Sequence, residues 1–184
     1  MKFVSVPVFL ALVFPASTAW AAELEEIVNY REYTPTFASA GQPTEEQLPA
    51  IREAGFERVV YVAFSDQSRS LANEDRLVKA LGIEYVHIPV DWEAPTASDY
   101  HMVAAALRDN QSRKTLLHCQ VNYRASAFSF LYRVLEEGVD LAEAKADMNS
   151  VWTPNATWRD LIFEVLESAD VSPECAGCDW TVSE

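Results

Sequence analysis

Residues 58–64 read Arg-Val-Val-Tyr-Val-Ala-Phe, an apolar run rich in β-branched and aromatic side chains with no polar interruption after its first position. A strand with one wet face alternates apolar and polar residues; a strand covered on both faces is apolar throughout. This run therefore reads as a central strand with layers on both sides. Lys114–Cys119 is a short apolar run of the same kind, Glu84–Pro89 reads as another, alternating strand, and helix-like spacing fills Leu71–Leu81, ended by Gly82, and Ser98–Asp109. Upstream, Thr36–Pro43 reads as a short strand broken by Gly41 and Pro43. Thr44-Glu45-Glu46-Gln47 then forms a capping box opening a helix to about Ala54, stopped at Gly55. Strand and helix alternating in this way imply an α/β sandwich, its central, largely parallel sheet of four or five strands flanked by helices. In such sheets ligands sit at the carboxyl ends of strands.

Cys119 stands at one such end. The apolar run before it is followed by Gln120-Val121-Asn122-Tyr123-Arg124, and then by helical spacing from Ala125 to Glu137 carried by Ala127, Phe130, Leu131, Val134 and Leu135. A loop between a strand end and a helix N-terminus gathers backbone N–H groups into one concavity, and the helix dipole adds positive potential there. Residues 120–124 are thus a candidate oxyanion cradle. Cys119 is a candidate nucleophile, because thiolates are favoured in such fields. Arg124 is a candidate bidentate clamp for phosphate or sulfate oxygens, and Ser126 a hydroxyl placed to hydrogen-bond the thiolate. The bland alternative is a small buried cysteine at a strand end.

The first 21 residues read as a cleavable secretory signal: Lys2 as basic n-region, Phe3–Pro15 as apolar stretch, Ala19-Trp20-Ala21 as the cleavage site. The apolar stretch is too short to span a bilayer comfortably. Periplasmic or secreted residence follows, with no membrane attachment after cleavage near Ala21. Residues 22–35 read as a polar, acidic N-terminal arm without periodicity, 36–170 as a single domain, and 171–184 as a loose tail. With Lys2 removed, 13 basic residues face 28 acidic ones, a formal charge of −15. Such acidity excludes nucleic acid as a partner, although one locally positive loop can still attract an anionic substrate. In an exported chain the tail pair Cys175-Ala176-Gly177-Cys178 reads as a small disulfide. The rival readings are a redox dithiol, half of a zinc site, or a partner that resolves oxidised Cys119. His87 and His101 read as packing residues, and no metal-ligand spacing connects them. Beyond the Cys-loop helix, Asp140 caps a helix over Leu141–Met148 and a last helix runs from about Thr157 to Ser168, with Trp152, Trp158 and Phe163 as core filling.

The segment His118-Cys119-Gln120-Val121-Asn122-Tyr123-Arg124-Ala125-Ser126 resembles the His-Cys-x5-Arg-Ser/Thr signature of cysteine-dependent phosphatases. It is more similar still to the bacterial beta-lactamase hydrolase-like phosphatase domains of that superfamily. Ala40-Gly41-Gln42-Pro43 before a capped helix looks like the opening of the same group, so the resemblance covers Phe37 to Leu166. Two positions depart from the signature: the spacing is Cys-x4-Arg, and Asn122 stands where Gly is usual, Asn being the next-best residue for a left-handed backbone. The resemblance implies a protein tyrosine/dual-specificity phosphatase-like hydrolase acting on a phosphate monoester, in a small molecule or a phosphoprotein, through a phosphocysteine. It implies His118 as the residue that orders the loop and Asp91, upstream of the cysteine, as proton donor to the leaving oxygen, with Glu93 and Asp99 as rivals. No metal and no organic cofactor is implied. A six-residue loop from Cys to Arg is also what rhodanese-like sulfurtransferases use, which leaves open a Cys119 persulfide, and a catalytically inactive phospho-ligand binding module is the non-enzymatic alternative.

Overall fold

The computed structural model describes residues 19–109 and 112–181. Apart from its last three residues, the signal segment expected over 1–21 lies outside the described residues. The chain forms α1 (Ala19–Glu25), β1 (Arg31–Thr34), β2 (Phe37–Ala40), α2 (Leu48–Glu53), β3 (Arg58–Tyr61), α3 (Glu74–Ala80), β4 (Glu84–His87), α4 (Ala97–Arg108), β5 (Thr115–His118), α5 (Tyr123–Leu135), α6 (Leu141–Asn149) and α7 (Ala156–Ser168). The five strands lie in the order β1-β2-β5-β3-β4. Pairing of β2 with β5, β5 with β3 and β3 with β4 is parallel; β1 alone runs antiparallel, on β2. This is the α/β sandwich that the strand and helix pattern predicts.

The apolar runs are explained by two cores. Val59, Leu116 and Ala38 face a cluster with Ile51, Phe56 and Val78 from the α2 and α3 side. Val60, Leu117 and Phe37 face the opposite way, into a larger cluster with Val103, Phe128, Leu131 and Ile162 from α4, α5 and α7. β5 is buried along its whole length, its polar Thr115 and His118 enclosed together with Leu116 and Leu117. Gln47, at the end of the capping box, accepts a hydrogen bond from Thr44 N at 3.0 Å, and the box opens as a 3-10 turn over Glu45–Gln47 before α2 begins.

Two sequence expectations are corrected. Residues 22–35 are not an arm: Leu24 and Ile27 are buried against the α2 side and β1 adds an edge strand to the sheet. Two inward apolar residues three positions apart are too few to give a periodic signal. Nor is the tail loose through residue 181. Trp180 lies edge-on to Phe130 and Phe163, with ring centroids 5.9 and 5.2 Å away. Its Nε1 donates to Pro173 O at 2.9 Å, and Lys145 on α6 sits over its ring and donates to Asp179 O. Cys175 and Cys178 close a disulfide within this docked segment.

Arg58 fixes the amino-terminal end of β3. Its guanidinium is 1% exposed, pairs with Glu84 on β4 (2.8 Å) and with Asp109 after α4 (2.8 Å), and donates to the carbonyls of Ala106 and Asp109, each at 2.6 Å. These carbonyls lie at the C-terminal end of α4, where helices run out of backbone donors. Replacing Arg58 by Ala would leave them unpaired in a partly closed site, and a loss of about 3 kcal/mol in urea-unfolding free energy is expected. A loss below about 1 kcal/mol would show that water or Arg113, which also pairs with Glu84, substitutes for it.

Candidate active site

β5 ends at His118, Cys119 follows, and the chain turns into α5 after three residues. The turn is possible because Asn122 adopts a left-handed backbone with φ +69°. Asn tolerates this region better than other side chains because it can bond locally. The carbonyls of the turn are all engaged. Gln120 O accepts from Gln42 N (3.1 Å), Val121 O from Asn29 Nδ2 (3.0 Å) and Asn122 O from Ser126 N (2.8 Å). By contrast, the N–H groups of Gln120, Val121, Tyr123 and Arg124 donate to no acceptor among the described residues. α5 carries no carboxylate in its first turn, so its N-terminal potential is not neutralised locally.

Arg124 is 4% exposed. Its Nε is buried without a hydrogen-bond partner, and among the described residues its guanidinium forms no ion pair. It lies instead over Trp92, 5.2 Å from the ring centroid, a cation–π contact that steadies the charge without neutralising it. A cavity of about 430 Å³ opens here, lined by Gln67, Asp91, Trp92, Glu93, Gln120, Val121, Tyr123 and Arg124. Three loops supply it, each following the carboxyl end of a strand: Gln67 after β3, Asp91 to Glu93 after β4, Gln120 to Arg124 after β5.

The expected residues are distributed unevenly. Arg124, Asp91 and the loop residues Gln120, Val121 and Tyr123 come together around the cavity, as does Glu93. Asp91 is exposed, and its Oδ1 accepts from Glu93 N at 2.9 Å. Asp99 does not join them: it forms a capping box with Thr96, whose N and Oγ1 each lie 2.8 Å from its Oδ2. Cys119 is fully buried at the end of β5 rather than exposed at the mouth. Ser126 makes no hydrogen bond to it; the hydroxyl donates to Tyr123 O and accepts from Trp152 Nε1, both at 3.1 Å. The two histidines expected as packing residues are both exposed: His87 places Nε2 2.8 Å from Ala63 O, and His101 lies beside the ring of Tyr100.

The sequence reading does not include Trp92 in the site, and it includes Tyr123 as a cradle residue without its aromatic packing. Tyr123 stacks on Trp152 with an interplanar angle of 5°. Trp92 packs against Trp152 and Trp158, and its carbonyl accepts from Trp158 Nε1 at 3.0 Å. This anchors the loop bearing Asp91 to α7. The signal in the sequence was the adjacency Asp91-Trp92, a carboxylate beside a large anchor.

Behind the loop, His118 is completely enclosed and stacks on Tyr61, centroids 4.7 Å apart. Its Nε2 is 3.3 Å from Glu74 Oε1, yet neither ring nitrogen has hydrogen-bond geometry to a partner. Burial pushes its pKa down and outweighs the opposing attraction of Glu74, which favours the neutral ring. Glu74 itself is buried, accepting from Gln42 Nε2 (2.6 Å) and Tyr85 OH (3.0 Å). Burial and the Glu74 charge both raise the Tyr85 pKa, keeping that hydroxyl a donor. Gln42 thus ties Glu74 to the Cys loop through its own backbone.

Two outcomes follow from this packing. A Cβ on Gly41 would lie 2.8 Å from Val28 Cβ, 2.9 Å from Val28 O and 3.1 Å from Gln120 O; the last two neighbours are backbone. Gly41→Ala is expected to cost about 1–3 kcal/mol, read as a lowered melting temperature. For His118 the folded pKa lies below its ordinary 6.5, so the unfolded chain binds more protons and stability falls as pH drops below 6.5. His118→Gln should flatten that acid limb; equal urea-unfolding free energies for the parent protein at pH 7.5 and 5.5 would contradict a buried imidazole that resists protonation.

Comparison with known proteins agrees with this geometry. Residues 15–164 match the family described as DSP-PTPase phosphatase fused to NAD+ kinase. A putative phosphatase (DUF442) from Shewanella putrefaciens CN-32 is 31% identical, with 80% of this chain and 97% of that chain aligned and a TM-score of 0.72. The active form of Tk-PTP (18% identity, 76% and 97% covered, TM-score 0.65) and PTPMT1 in complex with PI(5)P (16%, 77% and 96%, TM-score 0.65) share the fold. No curated protein matches. With its cysteine and arginine on one strand-loop-helix, the chain belongs to this DSP-PTPase phosphatase family, and the protein is a phosphatase-type hydrolase of the tyrosine and dual-specificity kind.

Proposed function

We propose that the protein is an exported cysteine-dependent phosphatase that hydrolyses a phosphate monoester through a phosphocysteine on Cys119. The observation that carries this reading is Arg124, a buried guanidinium with no counterion among the described residues, facing a cavity beside loop amides that lack acceptors. Burying a charge unpaired is costly. A dianionic phosphate supplies the missing partner for both the arginine and the amides.

In the first step the Cys119 thiolate attacks phosphorus. The S–P bond forms as the ester P–O bond breaks, and Asp91 gives its proton to the departing oxygen. Arg124 and the amides of residues 120–124 hold the equatorial oxygens, whose charge grows in the transition state. In the second step water attacks phosphorus, gives a proton to Asp91 and releases the thiolate. Asp91 is favoured over Asp99 because the Asp99 carboxylate is committed to its helix cap, and over Glu93 by the resemblance. His118 supports the loop from behind. Export rests on the pattern of residues 1–21 and suits the Cys175–Cys178 disulfide. The substrate is a phosphate ester in a small molecule or a phosphoprotein; the PI(5)P held by the similar PTPMT1 structure is an ester of that kind.

The spacing Cys-x4-Arg gives the sulfurtransferase reading its one supporting observation, and the same assay separates the two. Protein purified with reductant should release phosphate from para-nitrophenyl phosphate, and Cys119→Ser should abolish this. Arg124→Ala should lower kcat/KM by about 10²–10³-fold. Asp91→Asn should lower kcat by about 10²-fold or more while tungstate binding persists. Thiocyanate formed from thiosulfate and cyanide, without phosphate release, would make the protein a sulfurtransferase. Tungstate binding without turnover of either substrate would make it a binding module.

A further inference from the structure

Two asparagines 93 positions apart share an uncommon backbone. Asn29 has φ +52° and Asn122 φ +69°. A left-handed residue other than glycine costs free energy and persists where its surroundings hold it. These two hold each other: Asn122 Nδ2 donates to Asn29 O at 2.6 Å, and Asn29 Nδ2 donates to Val121 O at 3.0 Å. One position away, Gly41 N donates to Val28 O at 2.6 Å and Gln42 N to Gln120 O at 3.1 Å. Residues 28–29, 41–42 and 120–122 are therefore three segments stitched by four hydrogen bonds, with no room for a side chain at position 41.

We propose that Asn29, far from the loop in sequence, is a positioning residue for phosphate binding, acting through its clasp on Val121 and Asn122. The inference rests on the phosphatase reading of the site. A peptide group is planar, so holding the Val121 carbonyl fixes the whole Val121–Asn122 plane. That plane sets where the chain enters α5, and Tyr123 and Arg124 follow directly. Asn122 is fully buried and cannot recruit water in place of the clasp, whereas Asn29 is exposed and contributes little to the core. Its two hydrogen bonds serve the loop. The arrangement suits the short Cys-x4-Arg spacing, since a turn that reaches the helix in so few residues needs a left-handed step at Asn122 and an external hold on it.

The test uses Asn29→Gly, which keeps the left-handed backbone and removes the donor, and Asn29→Asp, which keeps the shape and replaces the donor by an acceptor. Both are measured for tungstate affinity and for kcat and KM on para-nitrophenyl phosphate, at a temperature where circular dichroism shows folded protein. Loss of one positioning hydrogen bond should weaken tungstate binding and raise KM about tenfold. A residue that only stabilises the fold would lower the melting temperature and leave the affinity of folded molecules unchanged. Asn122→Gly should give a similar loss, and the double variant Asn29→Gly/Asn122→Gly no more than the larger single loss, because both act through one clasp. Parental affinity in both Asn29 variants, or losses that multiply in the double variant, would overturn the inference while leaving the phosphatase reading intact. A parent protein that neither binds tungstate nor releases phosphate would overturn both.

Discussion

Hydrogen-bond donors left without acceptors at the carboxyl end of β5 are the constraint to which the rest of this structure answers. Interiors avoid unpaired polar groups because each costs on the order of 1–3 kcal/mol. Here, among the described residues, the buried Nε of Arg124 and several loop amides beside the cavity are left without acceptors together. Such a loop would relax toward its own carbonyls unless those were already engaged. They are: Gln42, Asn29 and the first turn of α5 hold the three carbonyls, and the sheet and helix hold the loop at its two ends. The stability lost at the site is offset by two cores that bury β5 on both faces.

The parallel sheet explains why the functional groups meet although they are far apart in sequence. Successive parallel strands deliver their carboxyl ends to one rim, so the loops after β3, β4 and β5 share a cavity without any special connection. The aromatic cluster then sets how firmly they are held. Trp158 is wholly buried and donates to the Trp92 carbonyl, so the carboxylate next in sequence sits on a rigid loop. Trp92 also lies over Arg124; one indole thus braces both the proposed proton donor and the proposed anion clamp.

Much of this was legible from residue pattern. The apolar runs at 58–64 and 114–119 and the alternating segment at 84–89 gave three strands because period and burial are local properties. The strand-loop-helix around Cys119 gave the cradle, since a helix N-terminus carries its dipole and free amides wherever it is placed. Asn122 could be read as a left-handed residue from its type at a position where the resembling phosphatases have Gly. The arm and the tail were misread for one reason: Leu24, Ile27 and Trp180 pack as single anchors, and isolated anchors leave no periodicity.

What the sequence by itself determined is therefore the sandwich, the strand order along the chain and the identity of the loop bearing Cys119 and Arg124. Each depends on neighbours within about ten positions. Tertiary structure alone decided that Cys119 is enclosed and that Ser126 turns to Trp152. It also decided that Asp99 is spent on a cap while Asp91 reaches the cavity, and that Asn29 meets Asn122. These are contacts between segments separated by tens of residues, set by how sheet and helices close on one another, and no local spacing encodes them.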